Sequence, residues 1–320
     1  MIDPTLARPG IDPTFKALLD TFPLTFTAAD GVEVARARLK QLQVPAELLP
    51  DMRVEQRTIR HGELADIPVR IYWPPDADTP SPVVVFYHGG GFALGDLDTH
   101  EPVARAHAAG ARAIVVSVDY RLAPEHPFPA AVDDSWAALQ WVAEHAAELG
   151  GDPDRIAVAG DSAGGNLAAV VAHLARDNAG PELAFQLLWY PVVTADLSLP
   201  SFIENADAPI LDRDVIDAFL SWYLPGIDIA DPTALPVTLA PANADDHSGL
   251  PPAYIGTAEH DPLRDDGARY AELLNAAGVP VELSNEPTLV HGYASFALAI
   301  PAAAEATSRG LAALKKALHP

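Results

Sequence analysis

Ser162 stands in Gly160-Asp161-Ser162-Ala163-Gly164, a G-x-S-x-G pattern between the apolar run "RIAVAG" and the helical run "AGGNLAAVVAHLARDN". On so sharp a strand-to-helix turn the neighbours must be small and the serine oxygen is lifted clear of the sheet. The helix that follows brings free amides and a positive dipole end. Taken alone, the pattern equally describes a glycine-rich turn with Ser162 as an ordinary helix cap. A nucleophilic serine also needs a base, and the base needs an orienting acid. Downstream lie His173, His247, His260, His291 and the tail His319. His173 falls inside the helix that leaves the turn, His247 in the polar loop "NADDHSG", and His260 beside the candidate acids. His291, in "TLVHGY", follows the last predicted strand, where a base reaches over the sheet edge; it is the expected base. Asp261, in "GTAEHDPLRDDG", is the expected acid, with Pro262 favouring a fixed turn. Glu259, Asp265 and Asp266 are its rivals, the last two expected to open the next helix. Helix capping and solvation are the plain alternative for all four.

Acyl transfer builds negative charge on a carbonyl oxygen, and donors fixed in advance stabilise it. The stretch "VVVFYHGGGFALGD", Val83 to Asp96, offers them: a buried strand, a histidine, then three glycines. Backbone without side chains lets a ligand approach its N–H groups. Gly89, Gly90 and Ala163 are the expected oxyanion donors, with Gly91 allowing the turn; a glycine turn that only permits strand-to-helix packing is the alternative. The loop does not fit G-x-G-x-x-G, and neither a G-x-x-x-x-G-K-[ST] phosphate loop nor an H-E-x-x-H zinc helix occurs. No cofactor and no metal are expected.

These residues need a frame that brings them together. From about Arg53 two alternating strands are expected, then apolar strands alternating with helices to the C-terminus. That pattern predicts an α/β fold with a mostly parallel sheet covered on both faces. Residues 1–50 are expected to form N-terminal helices, the second capped by Thr27 or Asp30, and 51–320 the core. At about 196–236 a Pro- and Asp-rich stretch with a helical middle interrupts the alternation and can pair with the N-terminal helices as a cap. Pro301 is expected to kink or break the last helix. Phe92, Phe202, Phe219, Trp222 and Tyr223 are candidates for a substrate pocket, or for plain core packing.

The 320 residues are 49% hydrophobic, ample for a large core, and contain no cysteine, which excludes disulfides, thiolate catalysis and cysteine metal sites. With 44 acidic and 20 basic residues the formal charge is −24, a field that repels nucleic acid and anionic membranes. Genome composition or salt adaptation accounts for it. No apolar run approaches the ~18 residues of a membrane span. The start "MIDPTLARPG" has no signal-peptide pattern, so a cytoplasmic location is expected.

Together, "HGGGF" at His88, "DYRLAPEHPFPAA" at Asp119, "GDSAGGN" at Gly160, "EHDPLRDDG" at Glu259 and "HGY" at His291 resemble the hormone-sensitive-lipase-like (bacterial family IV) carboxylesterases. The resemblance covers residues about 70 to 300 in the family's order. It implies an α/β-hydrolase core with a helical cap, a triad carried onto Ser162, Asp261 and His291, and an oxyanion hole at Gly89, Gly90 and Ala163. It also implies small-molecule esters of short to medium acyl chains as substrates, and often a homodimer. Tyr293 replaces the family's frequent phenylalanine after "HG". The alternatives are a non-catalytic small-molecule receptor on the same fold, or a lactonase, amidase or acyltransferase with the same triad.

Overall fold

The β-branched, apolar runs in the middle of the chain suit fully buried strands, and the alanine-rich runs between them suit helices. The computed structural model describes residues 8–21, 26–60, 66–75 and 78–320. Its elements are α1 (Pro13–Thr21), α2 (Val32–Lys40), β1 (Arg53–Ile59), β2 (Ile67–Trp73), β3 (Ser81–Tyr87), α3 (Glu101–Ala111), β4 (Ile114–Val118), α4 (Ala130–His145), β5 (Gly151–Asp161), α5 (Ala163–Asp177) and β6 (Phe185–Trp189). They continue with α6 (Pro200–Glu204), α7 (Arg213–Tyr223), β7 (Ala253–His260), α8 (Arg264–Ala276), β8 (Val281–Val290) and α9 (Pro301–Leu318). The strands form one eight-stranded sheet in the order β1-β2-β4-β3-β5-β6-β7-β8. β1, β2 and β4 pair antiparallel, and from β4 across to β8 every pairing is parallel.

Register places the chemistry. Tyr87 pairs with Gly160, so the glycine loop after β3 and the serine turn after β5 leave the sheet side by side. His260 pairs with Val290, so Asp261 and His291 also emerge together, two strands further on. Parallel sheets bind ligands at such carboxyl ends. One face of the sheet is packed by α4, α5 and α8, the other by α3 and α9. A third apolar cluster adjoins the first through Val32, Val192, Phe219, Leu220 and Trp222. It joins Phe26 and Ala35 of the N-terminal segment to Phe202 of α6, Leu211, and Val215 and Ile216 of α7.

One local expectation needs correction and two others take a sharper form. The helical run expected from Tyr293 onward is broken ahead of Pro301, which occupies the first turn of α9, where its missing N–H costs no hydrogen bond. The preceding Tyr293–Phe296 is a separate 3-10 turn. Thr27 and Asp30 do not cap α2; they close the 3-10 turn Ala28–Asp30, and α2 starts after Gly31. The helical middle of 196–236 is two helices, because Asp212 accepts the Val215 N–H at 2.8 Å and starts α7 afresh. Of the expected N-terminal helices, residues 1–7 and 22–25 lie outside the described residues. No described helix is long and apolar enough to cross a membrane.

Candidate active site

Ser162 sits at φ 55°, ψ −116°, backbone that a non-glycine residue adopts only when its surroundings enforce it. Those surroundings are two very close approaches. A Cβ on Gly164 would lie 1.9 Å from the Tyr87 carbonyl oxygen, and one on Gly160 would lie 2.2 Å from the Gly164 carbonyl oxygen. The first residues of α5 are thus pressed against the end of β3. We expect Gly164→Ala to lower stability by about 3 kcal/mol or more, since backbone atoms cannot step aside. A urea midpoint equal to that of the parent would show that α5 can shift.

Around the serine the structure brings three side chains into a line. His291 Nε2 is 2.9 Å from Ser162 Oγ, and His291 Nδ1 is 2.8 Å from Asp261 Oδ2. The second Asp261 oxygen accepts the Leu263 N–H at 2.8 Å, and the residue is fully buried, so its orientation is fixed from both ends. The Tyr190 ring stands edge-on to His291 at 4.8 Å and closes one side of the imidazole.

The rival residues are engaged elsewhere. His173 Nε2 meets the Tyr270 hydroxyl, and His247 lies against the same pair of rings. His260 Nε2 bonds the Pro9 carbonyl. Glu259 accepts from Arg264 and Asn285, and Asp265 accepts the Ser201 N–H and pairs with Arg264. Asp266 accepts the N–H groups of Val193 and Thr194 at 2.6 and 2.7 Å, tying the segment after β6 to α8. Burial pushes its carboxyl up to about 7.

The glycine loop requires one correction. The Gly89 N–H donates to Asp161 Oδ1 at 2.9 Å, so this amide is already used and does not face the serine. Glycine is needed at 89 for another reason: a Cβ there would lie 2.3 Å from Asp161 Oδ2. Gly90 and Gly91, at φ 116° and 58°, line the space beside Ser162 instead. Among the described residues, no acceptor in the protein meets the N–H of Gly90, Gly91 or Ala163. Sequence reasoning missed Asp161 as the partner of this loop. The signal was an acid at the end of an apolar strand, directly before the serine.

The loop is braced from below. The Tyr120 hydroxyl donates to the His88 carbonyl at 2.6 Å, its ring stacks on the His88 imidazole, and the Ala123 N–H donates to the Phe92 carbonyl at 2.9 Å. Arg36 of α2 donates to the carbonyls of Ala93 and Ala123 and pairs with Glu125. Residues of the "DYRLAPE" block therefore hold the loop without touching the serine. Burial pushes the Asp161 carboxyl up to about 6, and desolvation lowers His88 and His100 to about 4, so both imidazoles are neutral at pH 7.

Of the candidate pocket aromatics, Phe92, Phe202, Phe219 and Tyr223 line a cavity at Ser162. Trp222 does not; it stacks on Phe26 and packs against Phe219.

Comparison with known proteins gives the same architecture. Residues 84–295 match the family described as the alpha/beta hydrolase fold. The chain is 76% identical over 319 residues to carboxylesterase NlhH of Mycobacterium tuberculosis, covering 100% of both. It is 56% identical over 315 residues to esterase LipI of the same organism, covering 98% of this chain and 97% of LipI. Among solved structures, the Pyrobaculum calidifontis esterase superposes with a TM-score of 0.88 at 40% identity, over 96% of this chain and 98% of that one.

Proposed function

This chain belongs to the hormone-sensitive-lipase-like (bacterial family IV) carboxylesterases of the α/β-hydrolase superfamily, and from that membership we propose how its own residues hydrolyse an ester. Ser162 is the nucleophile, His291 the base and Asp261 the orienting acid. Ser162 Oγ attacks the ester carbonyl carbon while its proton passes to His291 Nε2. The carbonyl oxygen takes the electron pair and is held by the free N–H groups of Gly90, Gly91 and Ala163. The intermediate collapses, the carbon–alkoxy bond breaks, and His291 returns the proton to the leaving alcohol. Water then attacks the acyl-Ser162 ester, giving its proton to His291. The acid leaves and Ser162 regains its hydrogen. Asp261 keeps the Nδ1 proton of His291 in place and stabilises the imidazolium.

The observation that carries this reading is the unbroken chain of contacts from Asp261 through His291 to Ser162, beside three unclaimed amides. Substrates are carboxylic esters of short to medium acyl chains. The N-terminal segment together with α6 and α7 serves as the cap over the site, and the outer strand β8 is the edge through which two copies pair. The test is a series of p-nitrophenyl esters from acetate to palmitate. We expect kcat/KM to be highest among the short to medium chains; an optimum at palmitate, or no turnover of any ester, would overturn the substrate class.

A further inference from the structure

The turn that carries Asp261 is gripped by α6. Ser201 in that helix and Asn205 at its end stand four residues apart, on one face, and both are buried. The Ser201 hydroxyl donates to the Pro262 carbonyl at 2.6 Å and accepts the Asp265 N–H at 3.1 Å. The Ser201 N–H donates to Asp265 Oδ2 at 2.9 Å, so the two residues hold each other. Asn205 Nδ2 donates to the Asp261 carbonyl at 3.0 Å and reaches the Glu259 carbonyl at 3.4 Å. Arg8 of the N-terminal segment donates to Asn205 Oδ1 and to the Glu259 carbonyl, and pairs with the Glu259 carboxylate at 3.2 Å. Arg8 thus fixes the Asn205 amide with its donors toward the turn. Between Ser201 and Asn205, Phe202 lines the cavity at Ser162.

These contacts reach the carboxylate through rigid units. A peptide bond is planar, so fixing its oxygen also fixes its N–H. The Pro262 carbonyl and the Leu263 N–H belong to one peptide. Ser201 holds the oxygen of that peptide, and its N–H donates to Asp261 Oδ1 at 2.8 Å. Asn205 holds the next peptide back, the one between Asp261 and Pro262. Pro262 has no N–H of its own with which to brace the turn. Asp261 Oδ2 is left to meet His291 Nδ1 at 2.8 Å. We infer that Ser201 and Asn205 are positioning residues for Asp261. Through them α6 both lines the substrate cavity and keeps the acid in line with His291; this rests on the triad reading above.

The test measures kcat and KM separately on p-nitrophenyl butyrate. Asn205→Ala and Ser201→Ala are each made in the parent and in Asp261→Asn. In the parent, Asn205→Ala should lower kcat about tenfold, less than the roughly 100-fold of a 1 Å misplacement, because the Leu263 N–H still meets the carboxylate. KM should stay within about twofold, as for an interaction made for the transition state alone. Ser201→Ala removes a single oxygen atom and should lower kcat about fivefold; it carries the test where Asn205→Ala does not fold. In Asp261→Asn both losses should shrink below about twofold, since residues that act through one carboxylate are not additive with its removal. Phe202→Ala, which changes the cavity itself, should raise KM by the same factor in both backgrounds. Equal kcat losses in the two backgrounds, or losses confined to KM, would mean that Ser201 and Asn205 shape the cavity and not the acid. Parental kcat in both folded variants would mean that the turn holds Asp261 unaided. The triad reading fails separately: Asp261→Asn would then lie within about tenfold of the parent, or the folded parent would hydrolyse no ester, whatever the α6 variants do.

Discussion

Replacing Ser162 by alanine is expected to lower kcat on p-nitrophenyl butyrate by about 10⁴- to 10⁶-fold, with KM changed little. In the proposed mechanism this hydroxyl forms the acyl-enzyme, and its removal leaves the three amides in place. His291→Ala should cost about as much, and the double variant no more than either alone, because serine and base act as one unit. Asp261→Asn should cost about 10⁴-fold, since an amide favours the wrong imidazole tautomer. Here it also faces the fixed Leu263 N–H at 2.8 Å, which holds the side chain in place while its chemistry is wrong. Folding is checked by circular dichroism. Additive losses in the double variant, or a Ser162→Ala enzyme within tenfold of the parent, would remove the triad reading.

The serine turn was legible because its requirements are local. Strand, small residues, serine, small residues and helix follow one another in "RIAVAGDSAGGN", and no distant contact alters what that order demands. His291 and Asp261 were legible through chain order and position after strands, and parallel register turns that order into proximity. The glycine loop was legible only as a loop. Which of its three successive amides face the serine depends on where the Asp161 carboxylate sits, a contact across 72 residues. Phe219 was legible as a candidate pocket aromatic, but not its close approach to Gly91. That approach arises where Phe26 from the N-terminal segment meets α7, a contact that residue spacing within α7 does not show. Pro301 and Thr27 illustrate a third limit. A proline or a threonine signals that a helix boundary is near, and the residues alone do not say on which side the helix lies.

Asp161 offers a test that separates hydrogen bonding from charge. Asp161→Ala is expected to lower kcat about 100-fold at nearly constant KM, because the buried Gly89 N–H loses its acceptor and the adjoining amides move, and a misplacement near 1 Å is worth about that much. Asp161→Asn keeps an acceptor for Gly89 and should remain within about tenfold, since its lost charge helps the oxyanion and weakens the imidazolium in opposing measure. Stability should move the other way. Burial raises the Asp161 carboxyl from its ordinary 3.8 to about 6 in the folded chain, so the folded state binds this proton more tightly than the unfolded one. The cost of holding it ionised is absent below pH 4, grows between pH 4 and 6, and is complete above pH 6. His88 and His100, the neighbouring bases, are neutral over the upper part of that range and do not offset it. Asp161→Asn should therefore be more stable than the parent at pH 8 by up to about 3 kcal/mol, with the gain fading as pH falls through 6 toward 4. Urea midpoints at pH 8 and pH 5 measure the difference. A gain of the same size at both values would mean that the carboxylate is not the source, and equal kcat losses for Ala and Asn would mean that its charge, rather than its bond to Gly89, sets the loop.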